Sequence, residues 1–214
     1  MKERPILFNA AMVNAILEGR KTQTRRVIKC EMKWDGDDFG ESLEPVKHCP
    51  YGLPGDRLWA RETWRAEELE SGLDGIRYRA DDSFRAIQNS RASSDRWMDA
   101  ARPGDPWRPS IFMPRWASRI SLEVTGVRVE RVQKITEADA QCEGWDMSNL
   151  PEGHCYDCTH HARDWFAELW DSINAKRGYG WILNPWVWVI EFKPDAIAAA
   201  ASLAAQALNQ MEVM

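Results

Sequence analysis

Trp186-Val187-Trp188-Val189-Ile190-Glu191-Phe192 is apolar throughout except at Glu191. A run of that length is a strand, and apolar residues on both of its faces require cover on both sides. Ser118 to Val132 is the other clear strand. Ile120, Leu122 and Val124 alternate, Val127 and Val129 follow, and Gly126 marks a bulge or bend. A further strand is expected from Arg57 to Trp64, with Leu58, Ala60 and Glu62 on one face and Trp59, Arg61 and Thr63 on the other. Ile76 to Ala80 reads as one more, and Val27 to Cys30 as a short one after a basic loop.

Three helical segments lie among these strands. Residues 9 to 18 carry Met12, Val13, Ile16 and Leu17 at helical spacing, with Asn9 as cap and Gly19 as stop. Thr136-Glu137-Ala138-Asp139 opens a short helix that ends at Gly144. Residues 161 to 174 place Ala162, Trp165, Phe166, Leu169, Trp170 and Ile173 on one stripe. Strands and helices without βαβ alternation predict an α+β fold with a β-barrel. The expected organisation is one domain over residues 1 to 194, with insertions near 31–48, 65–118 and 145–160. Residues 195 to 214 form an alanine-rich, helix-prone tail.

Charge and cysteine content narrow the function. The formal net charge of -5 argues against a uniformly basic protein that coats nucleic acid. No segment reaches the roughly 20 apolar residues that span a bilayer, and the first residues lack a secretory apolar region. A cytoplasmic protein without a membrane partner is expected. Five cysteines, an odd number, argue against a disulfide framework. Cys155 and Cys158 form a Cys-x-x-Cys with His160 beside it. Zinc needs four ligands, and no second Cys-x-x-Cys supplies the rest. A polar loop with reduced thiols is favoured over a structural zinc there, and no cofactor is expected to be required.

The chemistry concentrates in Gly19-Arg20-Lys21-Thr22-Gln23-Thr24-Arg25-Arg26, a basic loop without a carboxylate. Such a loop suits a phosphate or a polar base, though a solvated turn would look the same. Thr24 needs a base to become a nucleophile, and Lys21 can be that base if burial or nearby cations keep it neutral. Glu62 falls on an inward strand face. It is either a structural ion pair with Arg25, Arg26 or Arg57, or a cleft acid that recognises a base amine. With Arg25 and Arg26, and with Trp59 and Arg61 on the opposite strand face, Glu62 makes up the candidate substrate-binding set. Twelve tryptophans raise the prospect of stacking surfaces, and Trp107 is either the best placed for one or an anchor that pins a long loop to the barrel.

The order of motifs is more specific than any one of them. The Gly19–Arg26 loop, the Gly55-Asp56-Arg57-Leu58-Trp59 turn, Ala138 to Gly144 with its Glu-Gly end, and Trp188 to Phe192 together resemble the ASCH domain of the PUA-like superfamily. The excess length resembles the longer branch common in phage and prophage genomes. The resemblance implies a PUA-like β-barrel with flanking helices, and RNA or a modified nucleoside as partner. One branch of the family hydrolyses the acetyl amide of acetylcytidine. By motif position its catalytic groups correspond to Lys21, Thr24 and Glu143: Thr24 attacks, Lys21 takes its proton, and Glu143 helps protonate the leaving amine. Arg26 matches an arginine that holds the substrate or the oxyanion. A non-catalytic reader of RNA or of a modified base, and an interaction protein that uses the barrel as scaffold, are the alternatives.

Overall fold

The computed structural model describes residues 1–29, 45–87, 95, 97–98, 107–146 and 161–195. In chain order the elements are β1 (Glu3–Leu7), α1 (Ala10–Leu17), β2 (Gln23–Val27), β3 (Arg57–Arg61), β4 (Trp64–Glu68), β5 (Asp74–Tyr78), β6 (Phe84–Ala86), β7 (Ser121–Arg131), α2 (Glu137–Cys142), α3 (His161–Asn174) and β8 (Trp186–Pro194). The fold is α+β, as the strand and helix patterns predict. No helix among the described residues is long and apolar enough to cross a membrane. The chain forms two compact units that interleave in sequence. One takes Met1–Lys2, Ala15–Arg57 and Glu123–Lys193, and the other the remainder.

In the first unit β8 lies between β7 and β2. β2 and β8 are antiparallel, from Gln23 opposite Glu191 to Val27 opposite Val187. Directly opposite residues share a face. Val27, Val187 and Val189 therefore face one way, into a core with Val132, Ile135, Ala140, Ala162, Phe166 and Trp170. Thr24, Arg26, Trp188 and Ile190 face the other way. The predicted cover on both faces of β8 is visible in Val187, Trp188, Val189 and Ile190, all buried.

Local chemistry sets the helix ends. Thr136 accepts from the Asp139 N–H while the Asp139 carboxylate accepts from the Thr136 N–H, a reciprocal capping box that opens α2. The Glu137 carboxylate accepts from the backbone N–H groups of Ala162 and Arg163, at 2.7 and 3.2 Å, and so caps α3 from the neighbouring helix. α1 begins where Asn9 Oδ1 accepts from the Met12 N–H at 2.8 Å, and Gly19 follows it at φ 77°.

In the second unit β4, β5 and β6 form an antiparallel sheet, with Trp64 opposite Tyr78 and Ala66 opposite Ile76. Those four residues pack with Met113 and Ala117. Gly75 is required here, because a Cβ would lie 2.2 Å from the Phe84 ring. β1 lies beside β3, where the Phe8 N–H donates to the Arg61 carbonyl at 3.1 Å.

Three boundaries differ from the sequence reading. The strand expected from Arg57 to Trp64 divides at Glu62 and Thr63 into β3 and β4, which belong to separate sheets. The basic stretch taken as a loop is a strand from Gln23, and it ends at Val27 rather than continuing to Cys30. β6 lies inside a segment read as a polar excursion. Cys155, Cys158, His160 and the tail from residue 196 fall outside the described residues.

The capping box stabilises α2 directly. Thr136→Ala is expected to cost about 1 kcal/mol of unfolding free energy, measured by urea denaturation, with Thr136→Ser close to wild type.

Candidate functional site

The turn after α1 delivers Lys21 to the end of α2. The Lys21 N–H donates to the Ala15 carbonyl at 2.9 Å, the Thr22 N–H to the Cys142 carbonyl at 2.9 Å, and the Phe192 N–H to the Thr22 carbonyl at 2.8 Å. Lys21 and Glu143 also form an antiparallel bridge. Glu143 is the C-cap of α2. Gly144 then turns at φ 104°, and a Cβ there would lie 2.9 Å from that of Ala15 and 3.3 Å from that of Lys21. The Glu-Gly ending has a physical basis: the glutamate points inward and the glycine lets the chain pass over Ala15 and Lys21.

The Lys21 side chain has no exposed surface. Its Nζ donates to Glu143 Oε2 at 2.7 Å and to the Glu143 carbonyl at 2.8 Å. Burial pushes the ammonium below its ordinary 10.5, against the pull of Glu143, and Arg26 and Arg25 push the same way. The other Glu143 oxygen, Oε1, accepts from Arg25 Nη1 at 3.1 Å. Arg25 is fully buried at its side chain and is saturated by carboxylates. It also donates to Glu130 at 2.7 Å and lies 3.4 Å from Asp139. Its guanidinium stands 5.7 Å from the Phe166 ring. Gln23 extends the cluster by donating to the Asp139 carbonyl at 2.8 Å.

The structure thus brings Lys21, Arg25 and Glu143 together, with Arg25 paired to Glu130, Asp139 and Glu143. Thr24 is buried and faces the other side of β2, with Arg26. Its hydroxyl makes no hydrogen bond among the described residues. Arg26 is half-buried and lies within electrostatic reach of Lys21, Glu143 and Tyr51. Beside it a cavity of about 600 Å³ is lined by residues including Trp188, Tyr51, His48 and Lys29. In the sequence Trp188 stands out only as part of the last strand, and Tyr51, His48 and Lys29 do not stand out at all. Residues 45 to 51 carry no periodic pattern, so only the fold reveals their place.

Glu62, Trp59 and Arg61 lie in the second unit. The ion-pair partner of Glu62 is none of the three arginines considered. Arg119 donates to both carboxylate oxygens at 2.8 Å and reaches Asp81 at 2.7 Å. Burial pushes the Glu62 carboxyl up, against the pull of Arg119. The Arg119 guanidinium lies 4.1 Å from the Tyr78 ring, and burial pushes the Tyr78 hydroxyl up to about 12. Arg61 stacks 4.7 Å from the Trp59 ring. Trp107 has Arg65 at 4.8 Å and Arg79 at 5.9 Å from its ring. Among the described residues no group of three or more His, Cys, Asp or Glu side chains is arranged to hold a metal ion.

No family model matches the chain, and no curated protein matches it. Two crystal structures overlap with it loosely. A protein of family DUF984 from Enterococcus faecalis V583 is 10% identical with a TM-score of 0.41, over 91% of this chain and 80% of that one. An ASCH domain from Lactobacillus crispatus JV V101 is 12% identical with a TM-score of 0.38, over 90% of this chain and 79% of that one.

The lowered affinity of Lys21 for its proton sets a pH dependence. Below its folded titration point Lys21 is protonated in both the folded and unfolded states, and the burial penalty is present in full. As pH rises from that point toward 10.5, the unfolded chain holds the extra proton and stability increases. The gain is about 1.4 kcal/mol for each pH unit between the two points. Lys21→Met is expected to lack it. Urea unfolding of both proteins from neutral pH to about pH 10 should therefore show the wild-type advantage growing with pH, and a constant difference would contradict this.

Proposed function

We propose that this protein binds a modified cytidine, free or in RNA, on the Thr24–Arg26 face of β2 and hydrolyses an amide on its base. The observation that carries the reading is the buried Lys21–Glu143 pair. A lysine that holds its proton weakly, 2.7 Å from a carboxylate, is a proton-transfer pair rather than a surface ion pair. Thr24 supplies the nucleophile one residue from Arg25, which holds Glu143 from the other side. The ordered motifs that resemble an ASCH domain point to the same three residues. The long insertions fit the phage and prophage branch of that family.

The proton balance closes within the site. In the reactive form of the pair the shared proton lies on Glu143 and Lys21 is the free amine. The Thr24 hydroxyl oxygen attacks the acyl carbon and its proton passes to Lys21. The carbon–nitrogen bond breaks, and the proton of Glu143 goes to the leaving cytosine amine. Water then attacks the acyl-threonine ester and gives its proton to Glu143. The departing Thr24 oxygen recovers its proton from Lys21. Arg26, on the same strand face as Thr24, donates to the oxyanion.

One observation favours a second reading. The Thr24 hydroxyl makes no hydrogen bond to Lys21 or Glu143, as in a protein that recognises the base without turnover. Mass spectrometry of acetylcytidine incubated with the protein separates the two. The first reading predicts cytidine and acetate, with Thr24→Ala and Lys21→Ala each slower by roughly a hundredfold or more and Thr24→Ser retaining activity. Intact acetylcytidine after prolonged incubation, together with measurable binding, would establish the reader instead.

A further inference from the structure

The cavity beside β2 has a chemical character that the hydrolysis scheme does not use. Trp188 is buried at its wall, held opposite Arg26 in the β2–β8 ladder. Tyr51 forms another part of the wall, half-buried and within electrostatic reach of Arg26. Lys29 and His48, both exposed, also line it, and the lining holds no carboxylate among the described residues. About 600 Å³ is room for a nucleotide with its water. Two aromatic rings offer flat apolar surface to a base. The lysine offers charge to a phosphate, and the histidine offers a ring N–H as donor.

We infer that this cavity is a nucleoside-phosphate site, in which Tyr51 and Trp188 contact the base and Lys29 and His48 hold the phosphate. The ligand is then a nucleotide, either free or within an RNA strand, rather than an uncharged nucleoside. The choice of cytosine as the base rests on the proposed function. The preference for phosphate rests on the cavity alone.

Calorimetric titration of the full chain with cytidine, cytidine 5′-monophosphate and the trinucleotide UpCpU tests this. The monophosphate or the trinucleotide should bind at least about tenfold more tightly than cytidine, a difference of about 1.4 kcal/mol. The advantage should shrink as salt rises. Lys29→Ala with His48→Ala, both at exposed positions, should remove the advantage and leave cytidine binding unchanged. Tyr51→Ala should weaken all three ligands. A preference for the monophosphate over UpCpU identifies free nucleotide as the ligand, and the reverse identifies RNA. Equal affinity for cytidine and both phosphates, no binding of any of them, or an advantage that survives the double variant would overturn the inference. Failure of acetylcytidine hydrolysis leaves it standing, because binding is read without turnover. Hydrolysis without a phosphate advantage removes it while the proposed reaction stands.

Discussion

Glu143 accepts from two cations at once, Lys21 on one carboxylate oxygen and Arg25 on the other, and all three residues are buried. Moving such charges out of water costs several kcal/mol per ion, and only dense pairing with additional hydrogen bonds offsets it. The surroundings meet that demand. The Glu143 carbonyl takes a second bond from Lys21, while Glu130 accepts from Arg25 Nε and Nη2 and Asp139 lies 3.4 Å from that Nη2. Arg128 reaches Asp139 at 3.0 Å and Glu130 at 3.3 Å and tempers the negative charge they add. Removing one member would strand the others as buried charges, a loss of about 3–5 kcal/mol. The end of α2, the start of β2 and the outward end of β7 are joined through this cluster. The orientation of Thr24 and Arg26 on the far face of β2 follows from it.

The second unit meets the same problem with simpler means. Arg119 forms a two-pronged contact with Glu62, a geometry that suits a planar guanidinium. The Tyr78 ring lies under that guanidinium, and Asp81 takes another of its donors. Each charged group in this set has a partner. A buried lysine with a reduced hold on its proton distinguishes the first unit, and burial moves the titration of a lysine more readily than that of an arginine. That contrast is why the candidate chemistry is placed at Lys21 and not at Glu62.

The regular elements were legible because they follow from local chemistry. Asn9 and Gly19 bound α1, Thr136 and Asp139 open α2, the stripe from Ala162 to Trp170 marks α3, and the apolar run from Trp186 marks β8. Lys21, Arg25 and Glu143 each stood out in the sequence, but not as one mutually bonded cluster. The absence of carboxylates near Lys21 made that stretch look like an open basic loop. Its neutralising partners come from far along the chain, Glu143 122 residues on and Glu130 105 residues after Arg25. No window along the sequence can count charges that only folding brings together. The partner of Glu62 was missed for the same reason, since Arg119 is 57 residues away. Alternation placed Glu62 inward correctly, but could not show that the strand breaks beside it.

The central claim is that Lys21 is held where it can exchange its proton with Glu143. Nuclear magnetic resonance of the protein labelled with ¹³C at lysine Cε, assigned through Lys21→Arg, reads that directly. The account predicts a Lys21 resonance that titrates clearly below 10.5, with the exposed lysines as internal references. A Lys21 resonance that titrates with those lysines or above them would mean a permanent ion pair, and would contradict the proton transfer on which the proposed chemistry stands.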